Sequence, residues 1–336
     1  MNENNESGVA FQPVGEVQAE IVVPSAVEGS FSENVESSEI SQPSLGVEEK
    51  VESNPFHTFI CGDCHTTFST INEAAGSHCL YCGGNKVTPT SDKSFQEYFV
   101  VPFVDTLKDA VDIYKKKIRL NPLIPFSFRG KNILNSMRKI YVPCTLYDIS
   151  VGGSIVFLGA DKISNVKGAP TQKFEILYST SFAYDNLLAG NYSKMGDEII
   201  SAIQNYNFAS MTPFQPDSVQ DSFLIASDIE NNTLTEKVQD KVNKHCVSIV
   251  RGNVNHELKK VSTNNMVLSI TSAKSLLIPM YFLNLKYKGK HYIFVMNGQT
   301  GEAIVDLPIG VSSVVVFSIL TFAVIFLVVY LFALFF

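Results

Sequence analysis

Two short stretches constrain this chain most: Cys61-Gly62-Asp63-Cys64 and Cys79-Leu80-Tyr81-Cys82-Gly83-Gly84. Each is a C-x-x-C knuckle, and fourteen residues separate them. A knuckle points two sulfurs at one ion from a tight turn, and four thiolates close a tetrahedron with no open position. Cys61, Cys64, Cys79 and Cys82 are therefore the expected ligands of a structural zinc ion. Two disulfides or a dithiol redox pair would use the same residues, but two knuckles at ribbon spacing exceed what a redox motif needs. Gly83 or Gly84 supplies the left-handed backbone that closes the second knuckle. His57, His65 and His78 lie close by as spare ligands, with ordinary polar residues of a small module the favoured reading for each. Such a closed site does no chemistry; it holds together a module too short to build its own core.

The opposite constraint sits at the other end. From Leu307 to Phe336 there is no charged residue, and the run from Val311 exceeds the ~20 apolar residues needed to cross a bilayer. This predicts a single transmembrane helix over 309–332, a C-terminal anchor. The opening Met1-Asn2-Glu3-Asn4-Asn5-Glu6 lacks the basic and apolar character of a signal peptide. A thiolate–zinc site also suits a reducing compartment. The expected localisation is the cell membrane, single-pass, with the N-terminus and body cytoplasmic.

Between these features the composition shifts. Residues 1–55 carry eleven Glu and a single basic residue, Lys50. Such a segment buries too little apolar surface to offset its chain entropy, and reads as a disordered acidic tail. Residues 56–90 form the ribbon. It carries Lys86 against Asp63, Glu73 and the bordering Asp92, so it lacks the basic face that nucleic acid requires. Residues 93–306 form the body, expected to be mixed α+β. Leu107, Ala110, Val111, Tyr114 and Ile118 predict a helix over 105–119 with Asp105 as N-cap. From Asp105 to Lys139 nine basic residues face three acidic ones, a local charge of +6. That suits a solvated helix face or contact with anionic lipid headgroups. Further helices are expected over 193–206 and 234–250, and a strand over 174–182.

Val142 to Phe157 aligns without a gap on Ile278 to Ile293, matching Pro143 with Pro279, Asp148 with Asn284 and Gly153 with Gly289. Each copy follows a helical stretch and reads as strand, glycine turn and return strand. The pattern predicts a duplicated helix-hairpin unit. No Gly-rich phosphate loop, G-x-S-x-G or H-E-x-x-H occurs, and no catalytic or cofactor-binding residues are assigned. His245 and Cys246 are neighbours on a helix, about 100° apart, so a buried thiol beside an exposed imidazole is expected.

Val101-Pro102-Phe103, Ile140 to Pro143, Leu146-Tyr147-Asp148, Leu277 to Tyr281, Lys286 to Lys290 and Phe294 to Gly301, with the ribbon Cys61 to Gly84, resemble a known pattern. It is that of the bacterial TFIIB-type zinc-ribbon-containing membrane proteins, often labelled primosomal helicase-like on the ribbon alone. The resemblance covers about 61–310. It implies a non-enzymatic adaptor at the cytoplasmic face. It also implies partners similar to the phage-shock-protein-A and SPFH/flotillin-like proteins encoded beside some members, which act in an envelope-stress response. A hetero-oligomer follows from that reading. No catalytic residues carry over. This chain departs from the pattern in placing an acidic tail where another ribbon is common, and Cys at 144 where an aromatic is usual. The alternative reading is a membrane-tethered zinc-ribbon protein that binds nucleic acid.

Overall fold

The structure, a computed structural model, describes residues 17–20, 55–91, 93–130, 136–162, 171–252 and 258–335. Its spine is one strand, β6 (Arg138–Lys162), 25 residues long. Ile140, Tyr141, Val142, Cys144 and Leu146 are all buried. A strand buried on both faces reads as a near-continuous apolar run, as this one does.

Along one side of β6 lies β11 (Val267–Tyr287), antiparallel from Phe282 opposite Arg138 to Val267 opposite Gly152. Its predecessor β10 (Leu258–Asn264) continues that edge from Ile155 to Gly159. Along the other side β9 (Phe223–Ile225) runs parallel at Ile140 and Tyr141. Beyond it, β7 (Thr171–Gly190) is antiparallel from Cys144 to Lys162. β12 (Lys290–Asn297) and β13 (Ala303–Val305) complete the edge beyond β11.

The body is thus mostly sheet, with few helices. The duplicated hairpin takes a different form from that expected. The second copy turns at Lys288-Gly289, both with positive φ, into β12. The first does not turn at all, because residues 142–157 lie within β6. Gly153 instead has φ +141 and makes room for the joint between β10 and β11. A Cβ there would lie 2.9 Å from Met266 Cα, and Asn265 N–H donates to Ser154 O. The two matched segments meet only at their first residues, Val142 opposite Ile278, flanked by Pro143 opposite Leu277 and Tyr141 opposite Pro279.

The acidic stretch 1–55 lies outside the described residues apart from its last residue and Val17–Glu20. Those four form β1, antiparallel to β7 from Val17 opposite Thr180 to Glu20 opposite Leu177. The edge of β7 offers unpaired backbone groups to such an extended segment; the rest of the stretch read as disordered lies outside the described residues.

Helices cover the two ends of the sheet. Helix α1 (Leu107–Arg119) begins at Thr106, not Asp105. The Thr106 hydroxyl accepts from Asp109 N–H, and the Asp109 carboxylate accepts from Thr106 N–H at 2.9 Å, a reciprocal capping box. Its buried stripe Ala110, Tyr114 and Ile118 packs on Tyr281, Leu283, Phe294 and Met296 of the β11–β12 hairpin. Helix α2 (Asp197–Ala202) is shorter than the span 193–206 expected. Helix α3 (Asn231–Gly252) places Leu234, Val238, Val242, Cys246 and Val250 on the far half of β6 and β7, against Tyr147, Ile155, Phe157 and Tyr178. The apolar helix α4 (Val311–Phe335) closes the described chain.

Candidate metal centre

The ribbon is built from β2 (His57–Cys61), β3 (Thr67–Thr70) and β4 (Val87–Pro89), with β2 paired to both others. The two knuckles share one backbone design. His65 N–H donates to Cys61 O at 2.8 Å, and Cys61 N–H donates to Thr66 O at 3.0 Å. Gly83 N–H donates to Cys79 O at 2.9 Å, and Cys79 N–H to Gly84 O at 2.8 Å. The residue after the second cysteine is left-handed in both, His65 at φ 57 and Gly83 at φ 72. Of the two expected glycines, Gly83 takes that role at no steric cost, whereas His65 takes the same conformation in the first knuckle with a Cβ that makes it costly.

This design brings the four sulfurs together. Cys61 Sγ lies 3.6 Å from Cys82 Sγ, and Cys64 Sγ lies 3.6 Å from Cys79 Sγ. All four lie within 4.8 Å of one another. Tetrahedral bonds of about 2.3 Å to one ion put sulfurs roughly 3.8 Å apart, so the set can hold a metal ion. His57, His65 and His78 are exposed and outside the cluster.

The surroundings tune the thiols differently. Burial acts to raise the Cys64 thiol, but the Thr66 hydroxyl, 3.3 Å away, and the Thr66 backbone outweigh it and hold the thiol at about 7. Burial pushes the Cys79 and Cys82 thiols up. Gly84 N–H donates to Cys82 Sγ at 3.4 Å. Lys86 pairs with Asp63 at 3.1 Å on the outer surface.

The ribbon is part of the body sheet. β3 pairs antiparallel with β9, Phe68 opposite Ile225 and Ser69 opposite Leu224, and β9 in turn pairs with β6. Sequence reading set the ribbon apart as its own module, because β9 is only three residues long and lies some 155 positions from β3.

Thr66, Tyr192 and Lys194, none of them singled out in the sequence, pack against the cluster. Thr66 Oγ1 and Tyr192 Oη lie 2.8 Å apart. Lys194 Nζ donates to Cys64 O and, at 2.7 Å, to Thr66 Oγ1. It also lies 5.1 Å from the centre of the Tyr81 ring and 5.9 Å from that of Tyr192. A divalent ion held by four thiolates would carry a net charge of about −2, and the Lys194 ammonium would lie beside it through its bonds to Cys64 O and Thr66. Tyr81 stacks on Phe282 with ring centres 5.6 Å apart, and its carbonyl accepts from Asn284 Nδ2. Beside the second knuckle a cleft of about 500 Å³ is lined by His78, Arg138, Lys286 and His291, among others.

The other residues weighed in the sequence lie outside the cysteine cluster and bond within the body. Asp148 Oδ1 accepts from Asn186 N–H, at a left-handed turn. The Tyr184 hydroxyl lies 3.0 Å from His245 Nδ1 and 3.2 Å from Cys246 Sγ. His245 is half-buried rather than exposed. Burial raises the Cys246 thiol and lowers the His245 imidazole.

At the other end, α4 is 25 residues long, and its most apolar 18-residue stretch has a mean hydropathy of 2.9 with no buried residue. Its first turn is stitched to the loop after α1. Gly310 N–H donates to Leu123 O at 2.8 Å, and Ser313 Oγ donates to Ile124 O at 2.8 Å.

No family model matches the chain, and no solved structure matches it. The chain is similar to the uncharacterized protein YdjG of Bacillus subtilis (strain 168), at 20% identity over 221 residues. The alignment covers 63% of this chain and 63% of YdjG, so the chain spans under two thirds of that relative's length.

Proposed function

We propose that this protein is a zinc-containing, membrane-anchored, non-enzymatic adaptor that recruits partner proteins to the cytoplasmic face of the cell membrane. The observation that carries the reading is the presence in one chain of a closed four-cysteine cluster and a helix whose most apolar 18 residues are unburied. Zinc is the ion that fits four thiolates with no open position, and such a site stabilises a fold rather than catalysing a reaction. A helix as long and apolar as α4 is exposed at no cost only in lipid. The body and ribbon then present a rigid surface for docking. The resemblance to the zinc-ribbon membrane proteins names the partner class as phage-shock-protein-A-like or SPFH/flotillin-like, in an envelope-stress response.

The test is a pull-down of the full chain from solubilised membranes, with zinc retained or chelated. Recovery of a stoichiometric, zinc-dependent protein partner supports the adaptor. A second reading, nucleic-acid binding at the membrane, draws on Arg138 and Lys286 in the cleft beside the second knuckle. Salt-dependent, submicromolar affinity for DNA or RNA, with no protein partner, would replace the first reading with the second. For topology, protease applied to sealed right-side-out vesicles should leave the ribbon and body intact until the membrane is opened.

A further inference from the structure

We propose that the loop 120–129, together with the basic last turn of α1, is a wedge that enters the headgroup layer of an anionic bilayer. The proposal rests on the reading of Val311–Phe335 as a membrane span, and it adds a second, separate membrane contact.

The loop is fixed to the point where that helix leaves the body. Besides the bonds from Gly310 and Ser313, the backbone at Gly310 packs on Pro125; a Cβ at Gly310 would meet Pro125 atoms at 3.0 Å. Phe128 and Ile124 anchor the loop inward, on the cluster beneath α1. Their neighbours point the other way. Leu120 is 73% exposed, Phe126 57% and Ile309 68%. Large apolar side chains left in water beside a transmembrane helix have an obvious solvent in the interfacial zone.

The charge around them is one-sided. Between Ile113 and Gly130 there are five basic residues, Lys115, Lys116, Lys117, Arg119 and Arg129, and no acidic one, a local charge of +5. Lys115 is paired with Asp112 at 3.4 Å. Arg129 lies 5.7 Å from the centre of the Phe126 ring, so a cation flanks the inserted side chain. Apolar side chains ringed by Lys and Arg, held at the surface by a span, match a leaflet rich in acidic phospholipid.

The chain contains no Trp, so single tryptophans report on the full-length protein in vesicles. Phe126→Trp tests the wedge. Phe322→Trp, at the middle of α4, tests the span. Val267→Trp, 68% exposed and roughly 45 Å along β11 from Tyr281 at 3.3 Å per residue, is the solvent control. Vesicles of phosphatidylcholine and phosphatidylglycerol carry acyl chains brominated near the carbonyl end or near the methyl end. The expected result is quenching of Trp at 126 by the shallow bromines, of Trp at 322 by the deep ones, and of Trp at 267 by neither. Replacing Lys116, Lys117 and Arg119 by Gln should weaken quenching at 126 in anionic vesicles and leave 322 unchanged. If 322 is quenched but 126 behaves like 267, the wedge is overturned and the span stands. If 322 is not quenched, the span and the wedge fall together. If the Gln substitutions change nothing at 126, the anionic preference is wrong.

Discussion

The hydroxyls of Thr66 and Tyr192, 126 residues apart in the chain, lie 2.8 Å from each other. One belongs to the turn that closes the first knuckle, the other to the segment leaving β7. Replacing Tyr192 by Phe removes this bond while Thr66 keeps Lys194. The expected cost is about 1 kcal/mol, read by denaturant unfolding, with metal content unchanged.

Lys194 should matter more. Lys194→Met deletes the donor to Cys64 O and Thr66 and the charge facing the thiolates. Hydrogen bonds to charged groups contribute about 1.5–3 kcal/mol. Chelator titration should extract the metal from this variant more readily than from the parent. Equal resistance would show that the cation is incidental.

Cys79→Ser should abolish stoichiometric metal, measured by elemental analysis. Because β3 is hydrogen-bonded into the body through β9, the loss should also lower the melting temperature of the body. A body transition that stays in place while the ribbon alone unfolds would show that the β3–β9 pairing carries no coupling.

Two glycines with positive φ should respond differently to alanine. At Gly83 nothing lies within 4 Å of the added Cβ, so the cost is conformational only, about 1–2 kcal/mol. At Gly153 the new methyl also runs into the Asn265 carbonyl and Met266 Cα. The β10–β11 joint must then move, and the loss should exceed that at Gly83 in equilibrium unfolding.

His245 gives a pH dependence. Burial lowers its imidazole below the usual histidine value, so the unfolded chain binds the proton more readily. Stability is therefore present above the unfolded value near 6.5 and falls as the pH drops through that value toward the lower folded one. The parent should lose more stability between pH 7 and 5.5 than His245→Gln, measured by denaturant midpoint. Parallel curves would remove the histidine from the account.

What could be read in advance followed from local chemistry. The cluster of Cys61, Cys64, Cys79 and Cys82 is legible because knuckle geometry is encoded within six residues. The helices over 107–119, 231–252 and 311–335 are legible because their apolar period or their uniform apolarity is. The weld between ribbon and body was not legible. It depends on Phe223-Leu224-Ile225, too short to announce a strand, and on Tyr192 and Lys194, which carry no motif. Gly152-Gly153 misled for a physical reason. Paired glycines mark a turn in most strands, whereas here their lack of side chains admits a neighbouring backbone.

The length of β6 has a consequence of its own. From Met137, packed beneath α1, to Phe157, packed beneath α3, is twenty residues, at most roughly 65 Å of strand at 3.3 Å each. A scaffold of that length is a mast. Met137 shares a cluster with Ile124, whose carbonyl accepts from Ser313 in the first turn of α4. The apolar helix and the α3 end of the body are therefore held apart by strand geometry rather than by a flexible tether. On the proposed membrane reading, that rigid spacing would let a partner docked on α3 sit at a fixed remove from one docked beside α1.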